Sequence, residues 1–364
     1  MSKRFIVTII TILIVVAAAG AVIFLAKGYT FSPKEKRIVG TGIITVSSEP
    51  DAAPVFIDGH LTTATNATVS SLSPKKYLVK VAKEGFIPWE KGVEVKEGLV
   101  TELKIRLFPA IPTIYPLTFT SVVSPTLSPD GSKLAYIVPG GKKAGVWVWT
   151  MAKNQPIAFA RSSEPHQIAT TAVADFTKAE LRFSPDSKQV LAKVDNERSS
   201  SSSNNYLLES DSLNSDPRDI TPVLDATLGA WNEDMRAKDE ARILTIKDPR
   251  IRKIASDSAQ VVWSPDETKF MVDSKIYDLE ESADYSLPFA KAHFWLPDSR
   301  YIIMVEENAI SLLDFDGTNK AVIYAGTFKD NFVFPWPDSS RLVIVSSFPT
   351  PTASEPNLYG INLR

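Results

Sequence analysis

Side chains able to do chemistry are few in this chain, and they are scattered. Cysteine is absent, which excludes disulfides, thiolate metal sites and cysteine nucleophiles. The three histidines, His60, His166 and His293, are far apart in sequence. A Ser-His-Asp hydrolase needs a histidine hydrogen-bonded to its nucleophile. Only His293, just before Phe294-Trp295, stands where such a role is conceivable, and a histidine satisfied by its own surroundings is the plainer reading. No Gly-Xaa-Ser-Xaa-Gly elbow, Walker-type phosphate loop or His-Glu-Xaa-Xaa-His zinc motif is present. Asp314-Phe315-Asp316-Gly317-Thr318-Asn319 opens like a calcium loop but lacks the later glutamate, and it reads as a hairpin turn. No catalytic residue, cofactor-binding residue or metal ligand is assigned on these grounds, and no cofactor is expected.

One set of acids recurs with a pattern. Leu127-Ser128-Pro129-Asp130-Gly131 returns as Phe183-Ser184-Pro185-Asp186-Ser187 and Trp263-Ser264-Pro265-Asp266-Glu267. It returns again as Trp295-Leu296-Pro297-Asp298-Ser299 and, with the aromatic shifted by one place, as Trp336-Pro337-Asp338-Ser339. Proline presets the backbone of a turn and aspartate accepts a nearby backbone N–H, so these aspartates are turn residues before they are anything else. Each turn feeds an apolar run: Leu134–Val138, Val190–Ala192, Phe270–Val272, Tyr301–Val305 and Leu342–Val345. Runs that are apolar without alternation are buried on both faces. A second strand follows each: 146–149, 206–208, 275–279, 310–313 and 358–361.

Repeated antiparallel sheets with doubly buried middle strands stack face to face around an axis, as the blades of a β-propeller do. Residues 110–364 accordingly resemble the WD40-like repeats of TolB-type propellers, in which an aromatic-Ser-Pro-Asp-Gly turn precedes the second strand of a blade. The aspartates are 56, 80, 32 and 40 positions apart. Five blades are recognised, and the two long gaps leave room for a sixth or for insertions. One insertion is the serine-rich stretch Asn196 to Asn205. The other is 223–257, where Leu228, Trp231, Met235, Ala241, Leu244 and Ile246 predict a helix broken at Pro249. The last copy lacks an outer strand. Residues 113–119 are predicted to supply it by pairing with the C-terminal strand and closing the ring.

Upstream, residues 40–109 predict a small antiparallel β-sandwich with strands at 43–47, 55–57, 77–81, 93–95 and 103–107, and a tight turn at Asp58-Gly59. Ser48-Glu49-Pro50, Ala53-Pro54-Val55-Phe56-Ile57-Asp58-Gly59, Leu72-Ser73-Pro74 and Lys83-Glu84-Gly85-Phe86 resemble, in this order, the PEGA domain, a small all-β module of bacterial envelope proteins. The chain departs from that family at Ala52, where the family has glycine, and at Asn66, where it often has proline after threonine. The resemblance implies a presentation or binding module without catalytic residues.

Residues 5–26 carry no charge. As a helix rising about 1.5 Å per residue they reach roughly 33 Å, enough for a hydrocarbon core of about 30 Å. Residues 1–27 are therefore read as a transmembrane signal-anchor, followed by a basic linker over 28–39. A cleaved signal peptide is the alternative, with Lys3 and Arg4 ahead of the apolar run and Ala17-Ala18-Ala19 as small residues for cleavage. Against it, the apolar run continues through Val22-Ile23-Phe24-Leu25. Residues 1–39 hold six Lys/Arg and one acid, while the C-terminal part is net acidic and has no basic stripe interleaved with aromatics. Nucleic-acid binding is not expected.

These readings combine into one expectation: an all-β, non-enzymatic binding or scaffold protein of the bacterial cell envelope. It sits in the plasma membrane by one span, with a cytoplasmic N-terminus and an extracytoplasmic body. Its partners are the membrane, through the helix, and proteins or glycans, through the propeller. Two alternatives stay open. One is a tethered enzyme with its site in the propeller channel near His293. The other is a scaffold facing the cytoplasm, favoured by Lys27, Lys34, Lys36 and Arg37 after the helix.

Overall fold

The computed structural model describes residues 3–26, 29–32, 37–151, 164–195, 203–329, 332–348 and 355–364. The chain divides into two compact units, Met1–Ile111 and Pro112–Arg364.

The first unit begins with helix α1 (Lys3–Ala26). Its described side chains are those of residues 9–20, and all of them are exposed, the apolar ones from Ile9 to Val16 included. Among the described residues no helix is long and apolar enough to cross a membrane, so the span expected over 5–26 is not shown. The stretch read as a basic linker holds a hairpin, β1 (Tyr29–Ser32) with β2 (Arg37–Gly40). Residues 33–36 of that stretch lie outside the described ones.

Seven strands then make a sandwich. They are β3 (Gly42–Glu49), β4 (Pro54–Ile57), β5 (His60–Ala64), β6 (Ala67–Leu72), β7 (Lys76–Val81), β8 (Trp89–Glu94) and β9 (Val100–Arg106). One sheet has the order β6-β3-β9 and the other β5-β4-β7-β8. β3 and β7 bury every second residue, so Ile44, Val46, Tyr77, Val79 and Val81 point into one core with Val55, Trp89 and Ile105. The sandwich is not wholly antiparallel as expected: β9 runs parallel to β3, pairing Ile43 with Val100 through Glu49 with Arg106. A parallel neighbour needs a long crossover, and here the chain between β3 and β9 crosses through the other sheet.

The second unit is a five-bladed propeller. A short strand, β10 (Ile114–Pro116), comes first. The first blade is β11 (Val123–Leu127), β12 (Lys133–Val138), β13 (Gly145–Thr150) and β14 (His166–Thr170). The second is β15 (Glu180–Phe183), β16 (Gln189–Asp195), β17 (Ser203–Glu209) and β18 (Arg218–Asp219). Helices α2 (Leu224–Thr245) and α3 (Pro249–Asp257) follow. The third blade is β19 (Val262–Trp263), β20 (Lys269–Val272), β21 (Lys275–Asp278) and β22 (Ala283–Ser286). The fourth is β23 (Ala292–Trp295), β24 (Tyr301–Val305), β25 (Ala309–Asp314) and β26 (Ala321–Ala325). The fifth takes β27 (Val333–Pro335), β28 (Arg341–Ser346) and β29 (Asn357–Asn362) from the end of the chain and β10 from its beginning. Ile114 pairs with Ile361 and Pro116 with Tyr359, so the predicted closure is present.

Five four-stranded sheets make the blades, and no sixth blade appears among the described residues. The longest gap between aspartates holds α2 and α3. The other contains residues 152–163, which lie outside the described ones, as do 196–202 of the serine-rich stretch. Pro249 does not merely break a helix: it opens α3 at its first turn, where its missing N–H costs nothing, and Asp248 caps the backbone of Arg250 and Ile251. Of the residues expected on the helical face, Trp231 and Ile246 are buried, whereas Met235 and Leu244 are exposed.

Strands β12, β24 and β28 are buried almost throughout, because sheets cover both their faces. Ile137, Val148 and Ile168 of the first blade share a core with Leu181, Val190 and Leu208 of the second. The opposite face of the first blade packs Tyr136 and Trp149 against Trp336, Val343 and Leu358 of the fifth. Met271 and Ile276 of the third blade meet Trp295, Ile302 and Leu313 of the fourth. Tyr324 of the fourth blade packs on Phe348, whose ring meets Tyr359 of the fifth.

Candidate functional site

The repeated turns are built alike. In all five the residue after aspartate has a positive φ, between 56° and 69°: Gly131, Ser187, Glu267, Ser299 and Ser339. Its N–H donates to the carbonyl three residues back, at 2.8–3.0 Å. Each aspartate Oδ1 accepts the backbone N–H two residues on, from Ser132, Lys188, Thr268, Arg300 and Ser340, at 2.9–3.2 Å. Where a serine opens the turn, its hydroxyl adds a bond of 2.6–2.7 Å, as Ser128, Ser184 and Ser264 do. Burial works to raise the carboxyls of Asp130 and Asp266, but these donors prevail and hold both below the ordinary 3.8. Asp186 is lowered chiefly by the Ser184 hydroxyl. The acids serve turns and do not converge on a site.

The histidines are likewise dispersed. His60 is exposed on β5. His166 Nε2 lies 3.0 Å from the carbonyl of Ser210, and His293 Nε2 lies 3.0 Å from that of Pro288. Burial pushes His293 below its ordinary 6.5, partly opposed by the Pro288 carbonyl. In both His166 and His293, the carbonyl holds the ring by one nitrogen. The Asp314–Asn319 segment is the turn between β25 and β26. Asp314 Oδ2 accepts from Asn319, and Asp316 Oδ1 accepts the N–H and hydroxyl of Thr318. Among the described residues no group of three His, Asp or Glu side chains could hold a metal ion.

What remains are surfaces. In an antiparallel four-stranded sheet successive connections alternate between the two ends. The Ser-Pro-Asp turns therefore lie at one end of the ring, and the connectors from blade to blade lie at the other. The connector end carries two phenylalanines in water: Phe119, between β10 and β11, is 82% exposed, and Phe289, between β22 and β23, is 93% exposed. Phe119 falls in the segment read from sequence as the closing strand. Phe289 had no sequence signal, because a single aromatic in a loop carries no period.

In the sandwich, Pro54, Phe56, Ala82, Phe86 and Pro88 line an open groove of about 450 Å³ together with Lys80, Lys83 and Glu84. Lys83 is drawn to the carbonyl of Asp51. On the neighbouring hairpin, Lys75 donates to Asp58 at 2.8 Å and, with the N–H of Leu78, lowers that carboxyl. Ala52 takes φ 55° and Asn66 φ 66°. Proline cannot adopt the Asn66 conformation, so the family's Thr-Pro turn is replaced here by one that Asn66 pins to Asp51 at 3.0 Å.

Residues 41–111 match the PEGA domain, which bears out the likeness read from the motifs of 48–86. Solved structures similar to the chain include a protein described as TolB from Agrobacterium tumefaciens, 16% identical, covering 68% of this chain and 89% of that one with a TM-score of 0.23. TolB from Acinetobacter baumannii is 14% identical, with 79% and 60% covered and a TM-score of 0.25. The Cps50 (Swd1) propeller domain of Myceliophteria thermophila is 10% identical, with 68% and 73% covered and a TM-score of 0.20. At such scores these likenesses add no argument, and the propeller stands on its own strand order. No curated protein matches the chain in sequence.

Proposed function

We propose that the chain is a membrane-anchored, non-enzymatic binding or scaffold protein of the cell envelope, its body held outside the cytoplasm. The observation that carries this reading is α1: apolar side chains from Ile9 to Val16 stand exposed along a helix, which in water is costly and in lipid is not. The uncharged run over 5–26 supports the same reading, with basic residues on both sides. The PEGA match over 41–111 supports an envelope setting. The propeller then offers proteins or glycans a rigid rim, and the connector end with Phe119 and Phe289 is the face assigned to them.

The test is protease digestion of the propeller in intact, outer-permeabilised and lysed cells. Digestion before lysis supports the outward topology. Digestion only after lysis overturns it and leaves the scaffold facing the cytoplasm.

A further inference from the structure

Four of the five junctions between blades are made without a helix between them. At the first junction the backbone N–H of Asp130 reaches Ser187 Oγ at 3.4 Å, and Lys133 of β12 crosses to Ser210 and Asp211 at 2.8 Å each. Between the third and fourth blades the N–H of Asp266 donates to Ser299 Oγ at 3.0 Å, and Trp295 Nε1 donates to the carbonyl of Val262 at 3.1 Å. Between the fourth and fifth, Ser346 Oγ donates to the carbonyl of Thr327 at 2.9 Å. The fifth and first share the edge-to-face pair Trp149–Trp336.

The junction of the second and third blades is different. The position that is Ser187 or Ser299 elsewhere is Glu267 here. Its side chain turns to a helix, accepting from Arg242 of α2 at 2.7 and 2.9 Å. Leu191 and Leu207 of the second blade pack on Trp231, Leu224 and Leu228 of α2. Phe270 and Tyr277 of the third blade pack on Ile246, the C-cap of α2, and on Ile251 and Ala255 of α3. These are two separate cores with a helical pair between them. Among the described residues no hydrogen bond, ion pair or ring contact runs directly from one sheet to the other. The polar clasps are exposed: Arg182 to Asn232 at 3.2 Å on one side, and on the other Arg242 to Glu267 and Arg250 to Asp284 at 3.5 Å and to the carbonyl of Ser282 at 3.2 Å.

We infer that this helix-filled seam is where the ring opens, the helices parting from the sheets while the other four junctions stay closed. The physical reason is that one continuous core holds three of the other junctions, and at the fourth Tyr324, Phe348 and Tyr359 pack ring on ring. Here two smaller cores and solvent-screened ion pairs share the work, and exposed pairs stabilise little.

The chain contains no cysteine, so a single introduced thiol reports opening cleanly. In the full chain in detergent, Ala255→Cys would place a thiol under α3, and Ala192→Cys one in the core of the first junction; both positions are buried. Under native conditions the first thiol is expected to be labelled about tenfold faster or more, as sub-global opening predicts. Adding Arg242→Ala should speed it a further two- to fivefold, about the worth of an exposed pair, and leave the second thiol unchanged. Equal labelling of the two sites, faster labelling at Ala192→Cys, or an Arg242→Ala effect on both sites would overturn the inference. Melting curves of both cysteine variants guard against a misfolded reporter.

Discussion

The sandwich and the propeller solve one problem in different ways. A β-sheet has edges with unpaired backbone groups. The propeller removes its end effects by closure: β10 pairs with β29, and beyond that pair Thr118, Ser121 and Asn357 form a buried clasp. The sandwich instead ends both sheets on strands with solvent-facing residues, β5 and β6 being largely exposed. It takes its definition from local turns such as Asp58-Gly59 and Ala52-Ala53. The contrast teaches that a ring rests its closure on one clasp between residues far apart in sequence, whereas an open sandwich rests on many local turns.

Four variants test that contrast, in descending order of effect. Leu358→Ala empties a fully buried position at the junction of the fifth and first blades. It should cost about 2–5 kcal/mol, read by urea unfolding. Asn357→Ala should cost about 1–3 kcal/mol, because Ser121 N–H and the Thr118 hydroxyl lose their buried acceptor. Hydrogen exchange should then rise at 114–122; an unchanged rate there would count against the clasp.

The turn aspartates sharpen the comparison through pH. Asp130, Asp186 and Asp266 have folded pKa values below 3.8, so the unfolded chain binds protons first. Their contribution is present in full above the ordinary carboxylate value and is lost as pH falls through the folded ones. The propeller should therefore soften below about pH 4, and the triple Asp→Asn variant should show a flatter melting temperature between pH 5 and pH 3. A variant as acid-sensitive as the parent would assign the softening elsewhere. The smallest effect is in the sandwich. Ala52→Gly relieves a left-handed alanine and should raise stability by about 0.5–1 kcal/mol after glycine's own entropy cost.

Much of the propeller is legible because it repeats. Five copies of Pro-Asp, each leading into an apolar run, locate β12, β16, β20, β24 and β28, and the missing outer strand then predicts β10. The turn conformation itself is written less plainly: only Gly131 announces a positive φ, while Ser187, Glu267, Ser299 and Ser339 adopt it without a glycine. In the sandwich, β5 and β6 are threonine- and alanine-rich, with little apolar alternation to betray them. The parallel course of β9 beside β3 is a matter of long-range pairing, which local pattern does not encode. The surface phenylalanine Phe289 is invisible for a related reason, since exposure is decided by what the rest of the chain leaves uncovered.

The pairing of β10 with β29 also sets a clock. Residues about 250 positions apart must meet before the fifth blade is complete. At roughly 5–20 residues per second of synthesis, Ile114 waits on the order of 10–50 s for Ile361 to exist. During that interval β10 is a lone edge, and four blades can form without a ring. Closure therefore cannot precede synthesis of the last strand, and until then the three residues of β10 have no strand to pair with.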